Sequence, residues 1–321
     1  MKIISPEQLS EAAECLRNGG LVAFPTETVY GLGANALDPV AVAGIFEAKK
    51  RPTFDPLIVH ISDKNQLNDL FLAPIDLLVF RLAEKFMPGP LTIVHRKSPV
   101  VPDLVTSGME NVAVRMPAHQ VAHDLIRLAG IPVAAPSANL FGQLSPTSYK
   151  HVAKQKMEID YLVAADDVTH LVGIESTVVL VENNTCTILR PGIITAEDIS
   201  TAIELPVTIA AKNHKISSPG LLNSHYSPTK PLHFIDNLKV LPEKTGIILH
   251  AASHDSLNAI RTIYTSQNEN LREVAAALFT SLHQMEDDEE VEQIFIERVE
   301  EKGIGISIMD RLKKATYRYE K

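Results

Sequence analysis

The sequence predicts an α/β protein built as two units. Three observations carry this reading. Short apolar runs of strand length are interleaved with helical patterns over residues 1–205, periodicity breaks down over 206–229, and a regular strand and helix alternation resumes over 230–321. A chain of 321 residues is about twice an ordinary domain, which agrees with two units.

The first helix runs from Pro6 to Arg17. Leu9, Ala12, Ala13 and Leu16 recur at helical spacing, Ser5 is placed to cap it, Pro6 sits at the first helical position, and Gly19-Gly20 ends it. Strand-length apolar runs follow at Leu21–Phe24, Ile58–Ile61, Leu91–Val94, Val112–Val114, Val133–Ala135, Tyr161–Ala164, Val178–Val181 and Cys186–Leu189. Helical patterns at Val40–Lys49, Ile75–Phe86, Ala118–Leu128 and Ser148–Lys156 lie between them. Many short strands with fewer helices predict a mixed sheet. Residues 206–229 are rich in Ser, Pro, Asn and Gly and read as a linker. Beyond it, strands at Leu232–Ile235, Gly246–His250 and Gln293–Ile296 and helices at Arg272–Met285 and Ile304–Thr316 predict a small open parallel sheet. The acidic run Glu286–Glu290 reads as a solvated loop after a helix.

Composition excludes several classes. Hydrophobic residues at 45% and charged residues at 21% describe a folded globular chain, not a disordered or fibrous one. Thirty basic against 39 acidic side chains give a net charge of −9, the wrong sign for general adhesion to nucleic acid or to an anionic membrane. A polyanion must therefore be held in a local pocket. Cys15 and Cys186 stand far apart without a Cys-x-x-Cys pair, so no disulfide framework or zinc ribbon is expected. With no signal-peptide pattern and no apolar run of bilayer-spanning length, the chain reads as cytoplasmic, with no membrane partner.

Polar residues cluster where strands end. Phe24-Pro25-Thr26-Glu27-Thr28-Val29-Tyr30-Gly31-Leu32-Gly33 follows a strand and reads as a glycine-bearing loop, without the third glycine of a dinucleotide fingerprint. Lys49-Lys50-Arg51 ends a helix before Pro52, and Asp55 to His60 then delivers a histidine beside this cationic corner. Arg115 ends one strand, Ala135-Pro136-Ser137-Ala138-Asn139 follows another, and Ser145, Glu175-Ser176-Thr177 and Arg190 add hydroxyls and charge. Arginine, lysine, serine and asparagine at successive strand ends of an acidic chain predict one polar, anion-binding cavity. There is no Walker loop and no nucleophile elbow. His119-x-x-x-His123 has metal-pair spacing but lacks a third ligand, so no metal site on protein side chains is expected.

Taken in order, FPTETVYGLGANA, AKKRPTFDPLIVH, MPGPLTIV, VAVRMP, AAPSANLFGQLSPTS, ESTVV and ILRPG resemble the YrdC/YciO superfamily. The later SPGLLNSHYSP and GIGISIMDRLKKA segments are similar to its two-domain branch, the threonylcarbamoyl-AMP synthases. The resemblance runs through essentially the whole chain. It implies a twisted mixed α/β sheet with a concave cavity over 1–205, a linker or lid at 206–229, and a smaller Rossmann-like domain at 230–321. It implies a nucleotidyltransferase that joins L-threonine, bicarbonate and ATP with Mg²⁺ into threonylcarbamoyl-AMP and pyrophosphate, for N6-threonylcarbamoyladenosine in tRNA. A downstream tRNA threonylcarbamoyl-transferase complex is the implied candidate partner.

Residue by residue, the resemblance places the ATP site on Lys49, Arg51, Asp55, Asn111, Ser137, Asn139, Ser145, Arg190, His225 and Tyr226. The L-threonine site falls on Thr28, His60, Arg115, Ala135 and Ser176. Lys49 and Arg51 carry the catalytic role, offsetting triphosphate charge, and Arg115 matches a carboxylate. His225 and Tyr226 would close the linker over the cavity, with Gly220 as a hinge. Lys50 departs from a common glycine in the family, and Leu221-Leu222-Asn223-Ser224 departs from its linker pattern. Two other readings compete: an RNA-binding module, which the acidic balance opposes, and a carbamoyl-phosphate-using relative, whose zinc-finger cysteines are missing.

Overall fold

The structure is a computed structural model that describes residues 1–165, 172–210, 225–236, 240–251 and 258–319. Eleven strands make one large sheet: β1 (Lys2–Ile4), β2 (Val22–Phe24), β3 (Gly31–Asn35), β4 (Ile58–His60), β5 (Leu91–Arg96), β6 (Asn111–Arg115), β7 (Val133–Ala134), β8 (Tyr161–Val163), β9 (Thr177–Glu182), β10 (Thr185–Arg190) and β11 (Val207–Ile209). Their order is β1-β8-β2-β3-β7-β4-β6-β5-β9-β10-β11. Parallel pairs such as β4 with β6 and β5 with β9 alternate with antiparallel pairs such as β2 with β3 and β5 with β6. This is the mixed sheet that the strand and helix count predicts.

Helices cover the sheet through the stripes read from the sequence. Leu9, Ala12, Ala13 and Leu16 of the helix Leu9–Arg17 pack with Ala122, Leu125, Ile126 and Ala129 of the helix Gln120–Ala129 over Val22 and Phe24. Ala41, Val42, Ile45 and Phe46 of the helix Pro39–Lys49 pack in the main core with Leu32, Ala34 and Val59. That helix starts on an Asp38 side chain accepting from Val40 N–H, with Pro39 at the first position. It ends at Lys50 in the left-handed conformation, φ 51°.

The second unit is a four-stranded parallel sheet of β12 (Leu232–Phe234), β13 (Thr245–Leu249), β14 (Arg261–Tyr264) and β15 (Gln293–Ile296), in the order β12-β15-β13-β14. Its helices are Leu271–Asp287 and Ile304–Thr316. Its core does not stop at its own boundary. Val29, Leu144, Ile174 and Ile193 from the first unit are buried in the same cluster as Leu278, Phe279, Ile308 and Leu312. Gly173 is where the two backbones meet: at φ 79° it holds the left-handed conformation, and a Cβ there would lie 2.3 Å from Ala276 Cα. Thr147 and Thr280 hydroxyls bond at 2.8 Å, and His151 stacks on His283 with ring centroids 3.8 Å apart.

Four sequence expectations change. Gly31-Leu32-Gly33 is strand β3, not a loop: a Cβ on Gly33 would meet Phe24 and Val133 side chains at 2.7 Å, so glycine here permits close strand packing. The linker starts later than 206, because Val207–Ile209 pairs in parallel with Cys186–Ile188 and extends the large sheet. Strands β1 and β14 carry too little apolar patterning to stand out. The acidic run is not a free loop, since Glu286 and Asp287 belong to the helix, Glu286 accepts from Thr229 N–H, and Asp288 pairs with Arg261 at 2.7 Å. The linker residues 211–224, with Gly220 and Leu221-Leu222-Asn223-Ser224, lie outside the described residues. Among the described residues no helix is long and apolar enough to cross a membrane.

Lys50 is exposed and occupies a conformation that a side chain disfavours, at a helix end where glycine is the usual residue. Lys50→Gly is therefore expected to raise stability by about 1 kcal/mol, read as a higher urea midpoint at unchanged slope.

Candidate functional site

A cavity of about 560 Å³, counted out to its mouth, opens over the middle of the large sheet. That is within the size range of small-molecule sites. Its wall includes Thr26, Thr28, Arg51, His60, Arg115, Ala135, Ser137, Ser176 and Arg190 from the first unit, and His225 and Tyr226 from the start of the second. Strand register explains the convergence: β4 and β6 run parallel with His60 opposite Arg115, so both side chains reach the same strand-end level.

A cationic corner backs one end of the cavity wall at Arg51; its other members, Lys49, Asp55 and Asn139, are not among the lining residues. Lys49, in the last turn of its helix, is 1% exposed and its Nζ donates to the main-chain carbonyls of Ser137 and Asn139. Two bonds leave one of its three donors. Arg51 donates from Nε to the Asp55 carbonyl at 3.2 Å and from Nη2 to the Pro56 carbonyl at 3.0 Å, and Nη2 lies 2.8 Å from Asp55 Oδ2. Burial, reinforced by the Arg51 charge, holds Lys49 well below its ordinary range, and burial raises the Asp55 carboxyl against the neighbouring cations. Asn139 donates from Nδ2 to the carbonyls of Leu140 and Gln143 at 2.8 and 3.0 Å, leaving its buried Oδ1 without a partner. His225 is buried with Nδ1 equally without a partner.

The other end holds a second buried pair. Arg115 Nη2 lies 2.7 Å from Glu27 Oε1, and Nη1 donates to Thr28 Oγ1 at 3.0 Å. Thr26 and Thr28 hydroxyls bond at 2.8 Å, and Thr26 Oγ1 accepts from the N–H groups of Thr28 and Val29, which fixes this turn. In both the Glu27 and Asp55 pairs the charges are close but not aligned for a hydrogen bond, so the carboxylate oxygens keep acceptor capacity. His60 donates from Nδ1 to the Ile58 carbonyl at 3.2 Å, and burial together with the Arg115 charge pushes it down to about 3. It is neutral at physiological pH.

Between the two ends, Arg190 donates from Nε and Nη2 to the Ser176 carbonyl at 3.2 and 3.0 Å, and from Nη2 to Ser176 Oγ at 3.1 Å. Ser176 Oγ also bonds Thr92 Oγ1 at 2.8 Å. Ser145 does not line the cavity; its hydroxyl donates to Glu175 Oε1 at 2.6 Å from behind the wall. Asn111 opens β6, in register with Arg96 and at the far end of that strand from Arg115, and is not among the lining residues. His119 and His123 are structural: His119 caps a helix by accepting from Val121 N–H, and His123 Nε2 bonds the Ser62 carbonyl at 3.1 Å. Among the described residues no group of three or more His, Cys, Asp or Glu side chains could hold a metal ion.

Sequence reasoning missed three charged residues of the site: Glu27, Glu175 and Arg311. Glu27 and Glu175 stand inside recognised motifs but without an assigned role. Arg311 lies on the helix Ile304–Thr316, three residues past Ile308 and four before Ala315, on the buried face. A charge on an apolar stripe was the available signal.

The buried histidines give the fold an acid limit. His60 is held to about 3, and His151 and His283 to about 4, each by burial first. Their folded values lie below the unfolded value near 6.5, so the unfolded chain binds the extra protons and stability falls as pH drops below 6.5. For His60 the loss between pH 7.5 and 5.5 is about 1.4 kcal/mol. Urea unfolding at the two pH values is expected to show His60→Gln losing less than the parent by about that amount.

The comparisons agree with this geometry. A family model described as telomere recombination, covering Sua5, YciO and YrdC, matches residues 14–192. A second, described as the C-terminal domain of threonylcarbamoyl-AMP synthase, matches residues 194–316. The threonylcarbamoyl-AMP synthase of Pyrococcus abyssi is 40% identical over 95% of this chain and 93% of its own length, and that of Bacillus subtilis 39% over 96% and 92%. The crystal structure of P. abyssi Sua5 complexed with L-threonine superposes with a TM-score of 0.87 at 38% identity, covering 99% of this chain and 98% of that one. The order of motifs, the twisted mixed sheet with its cavity and the second unit place the chain in the two-domain threonylcarbamoyl-AMP synthase family.

Proposed function

We propose that the protein forms L-threonylcarbamoyladenylate and pyrophosphate from L-threonine, bicarbonate and ATP, the step that supplies tRNA N6-threonylcarbamoyladenosine, and that it does so in the cytoplasm. The observation that carries this is one cavity lined by Arg51, Arg190 and a carboxylate-matching arginine at Arg115, with Lys49 buried behind its wall, inside a chain of net charge −9. Such a cavity suits two anionic substrates held end to end.

The reaction needs no enzyme nucleophile. The threonine amine condenses with bicarbonate to a carbamate with loss of water, and a carbamate oxygen then displaces pyrophosphate at the α-phosphorus. Catalysis is positioning and charge neutralisation. Lys49 and Arg51 meet the triphosphate, whose negative charge favours the protonated form of Lys49 against the burial that lowers it. Arg115 offers its guanidinium to the amino-acid carboxylate, with Glu27 holding it from the other side. Thr28 or Ser176 reads the substrate hydroxyl. Asp55, whose two buried oxygens are hard donors without an aligned hydrogen bond, would be the residue to hold Mg²⁺ accompanying ATP. When bound, the ion neutralises triphosphate charge. The product is delivered to a downstream tRNA threonylcarbamoyl-transferase complex.

The test is pyrophosphate release by the purified chain with ATP, Mg²⁺ and bicarbonate, with L-threonine present or omitted. Release is expected to require both threonine and bicarbonate, and Lys49→Ala/Arg51→Ala is expected to lower it by at least about 10³-fold, the scale of losing a transition-state charge clamp. Release indifferent to threonine would overturn the assignment.

A further inference from the structure

Arg311, on the last helix of the second unit, is 1% exposed and holds the back of the cavity wall at Glu175. Its Nε donates to Glu175 Oε2 at 3.1 Å, Nη2 to the Glu175 carbonyl at 3.4 Å, and Nη1 to the Pro191 carbonyl. Its guanidinium carbon lies 5.9 Å from the centre of the Tyr226 ring, and Asp310 Oδ2 lies 3.2 Å from Nη1. Four residues before it on the same helix, Ser307 Oγ donates to the Gly192 carbonyl at 3.0 Å. The held residues are the chain neighbours of cavity groups: Glu175 precedes Ser176, and Pro191 follows Arg190. One planar fork thus ties together the two segments that carry Ser176 and Arg190.

We propose that Arg311 is a positioning residue for adenylate formation, setting Ser176 and Arg190 through Glu175 and Pro191, so that the second unit is part of the catalytic apparatus. This rests on the synthase reading above. The geometry fits the role better than a simple packing role, because Glu175 itself lines the cavity and its other oxygen accepts from Ser145. An unbalanced carboxylate there would repel triphosphate and carbamate alike. Burial pushes the Glu175 carboxyl upward, and the Arg311 and Arg190 charges with the Ser145 hydroxyl more than offset it. Glu175 therefore stays ionised and held.

Two full-length variants separate positioning from folding. Arg311→Lys keeps the charge beside Glu175 but cannot span Glu175 and Pro191 together. Arg311→Met removes both. With threonine-dependent pyrophosphate release as the readout, kcat/KM is expected to fall roughly 10-fold in the first and 100-fold in the second, the scale of a small misplacement at a reacting centre. The acid limb of kcat/KM is expected to move to higher pH in Arg311→Met and to return in Arg311→Lys. Lys154→Ala, which cuts an exposed ion pair to Asp287 between the units, is the control and is expected to leave turnover unchanged. Circular dichroism and the unfolding midpoint report folding. Wild-type kcat/KM and pH profile in either folded Arg311 variant overturn the proposal, as does loss in proportion to unfolded protein with an unmoved acid limb. Should Arg311→Met not fold, Arg311→Lys alone decides. A wild-type chain without threonine-dependent release overturns the synthase reading and this proposal with it.

Discussion

Burial of cations without water is the constraint on which the rest of this structure depends. Lys49, Arg51, Arg115, Arg190 and Arg311 are all at most 7% exposed, and ionised groups removed from water lose several kcal/mol each unless paired. A chain that must hold an anion in a pocket cannot leave these groups bare between turnovers. Each is therefore met from within: Arg51 by Asp55, Arg115 by Glu27, Arg311 by Glu175, Arg190 by the Ser176 main chain and hydroxyl, and Lys49 by two carbonyls. The strand-end polar motifs are the sequence trace of this requirement. Their carbonyl acceptors come from the short segments before β4, after β7 and before β9, which places those segments and hence the cavity.

The pairs differ in a way that follows from their position. Glu175 is doubly and directionally bonded, by Ser145 and Arg311, and sits where two segments must be fixed. Glu27 and Asp55 lie as close to their arginines but out of hydrogen-bond alignment. A close, unaligned carboxylate screens a cation while leaving its N–H vectors for another acceptor. Arg51 and Arg115 are thus neutralised in the free protein without being consumed. This also explains why the second unit is fused to the first through a shared core at Gly173, Val29 and Leu144: the aligned pair needs a guanidinium delivered from outside the large sheet, and only a rigid contact delivers it reproducibly.

Legibility in the sequence tracks how local each feature is. The final helix Ile304–Thr316 and strand Gln293–Ile296 were read to the residue because amphipathic spacing and apolar runs are local signals. The cavity residues at strand ends were legible as a set, since Arg115 closes an apolar run, Ser137 follows one and Ser176 opens one. Strand β3 was hidden because its glycines, needed for packing against Phe24 and Val133, look like a loop. Strand β11 was hidden because Val207–Ile209 is half-exposed and finds its partner only across the sheet edge at β10. Glu175 and Arg311 stand 136 residues apart, and no spacing rule links them. Lys50 is the instructive intermediate: its departure from glycine is visible in the sequence, but the left-handed backbone that makes the departure matter is visible only in the fold.

The same field has a chemical consequence. His225 is held well below its ordinary range by burial and then by Arg51, Lys49, Lys314 and Arg190, and His60 by burial and then by Arg115. These imidazoles act as reporters: a cavity that disfavours a proton on them disfavours one on any amine brought beside them. A carbamate forms only from an unprotonated amine, and an amino acid in water carries its amine protonated. On the proposed reaction, a site that lowers that amine's basicity by desolvation and neighbouring guanidinium charge, with Arg115 taking the carboxylate, would raise the reactive fraction without a dedicated base. On that proposal the buried cations would serve twice, first by favouring the free amine and afterwards by binding the anions that its reaction creates.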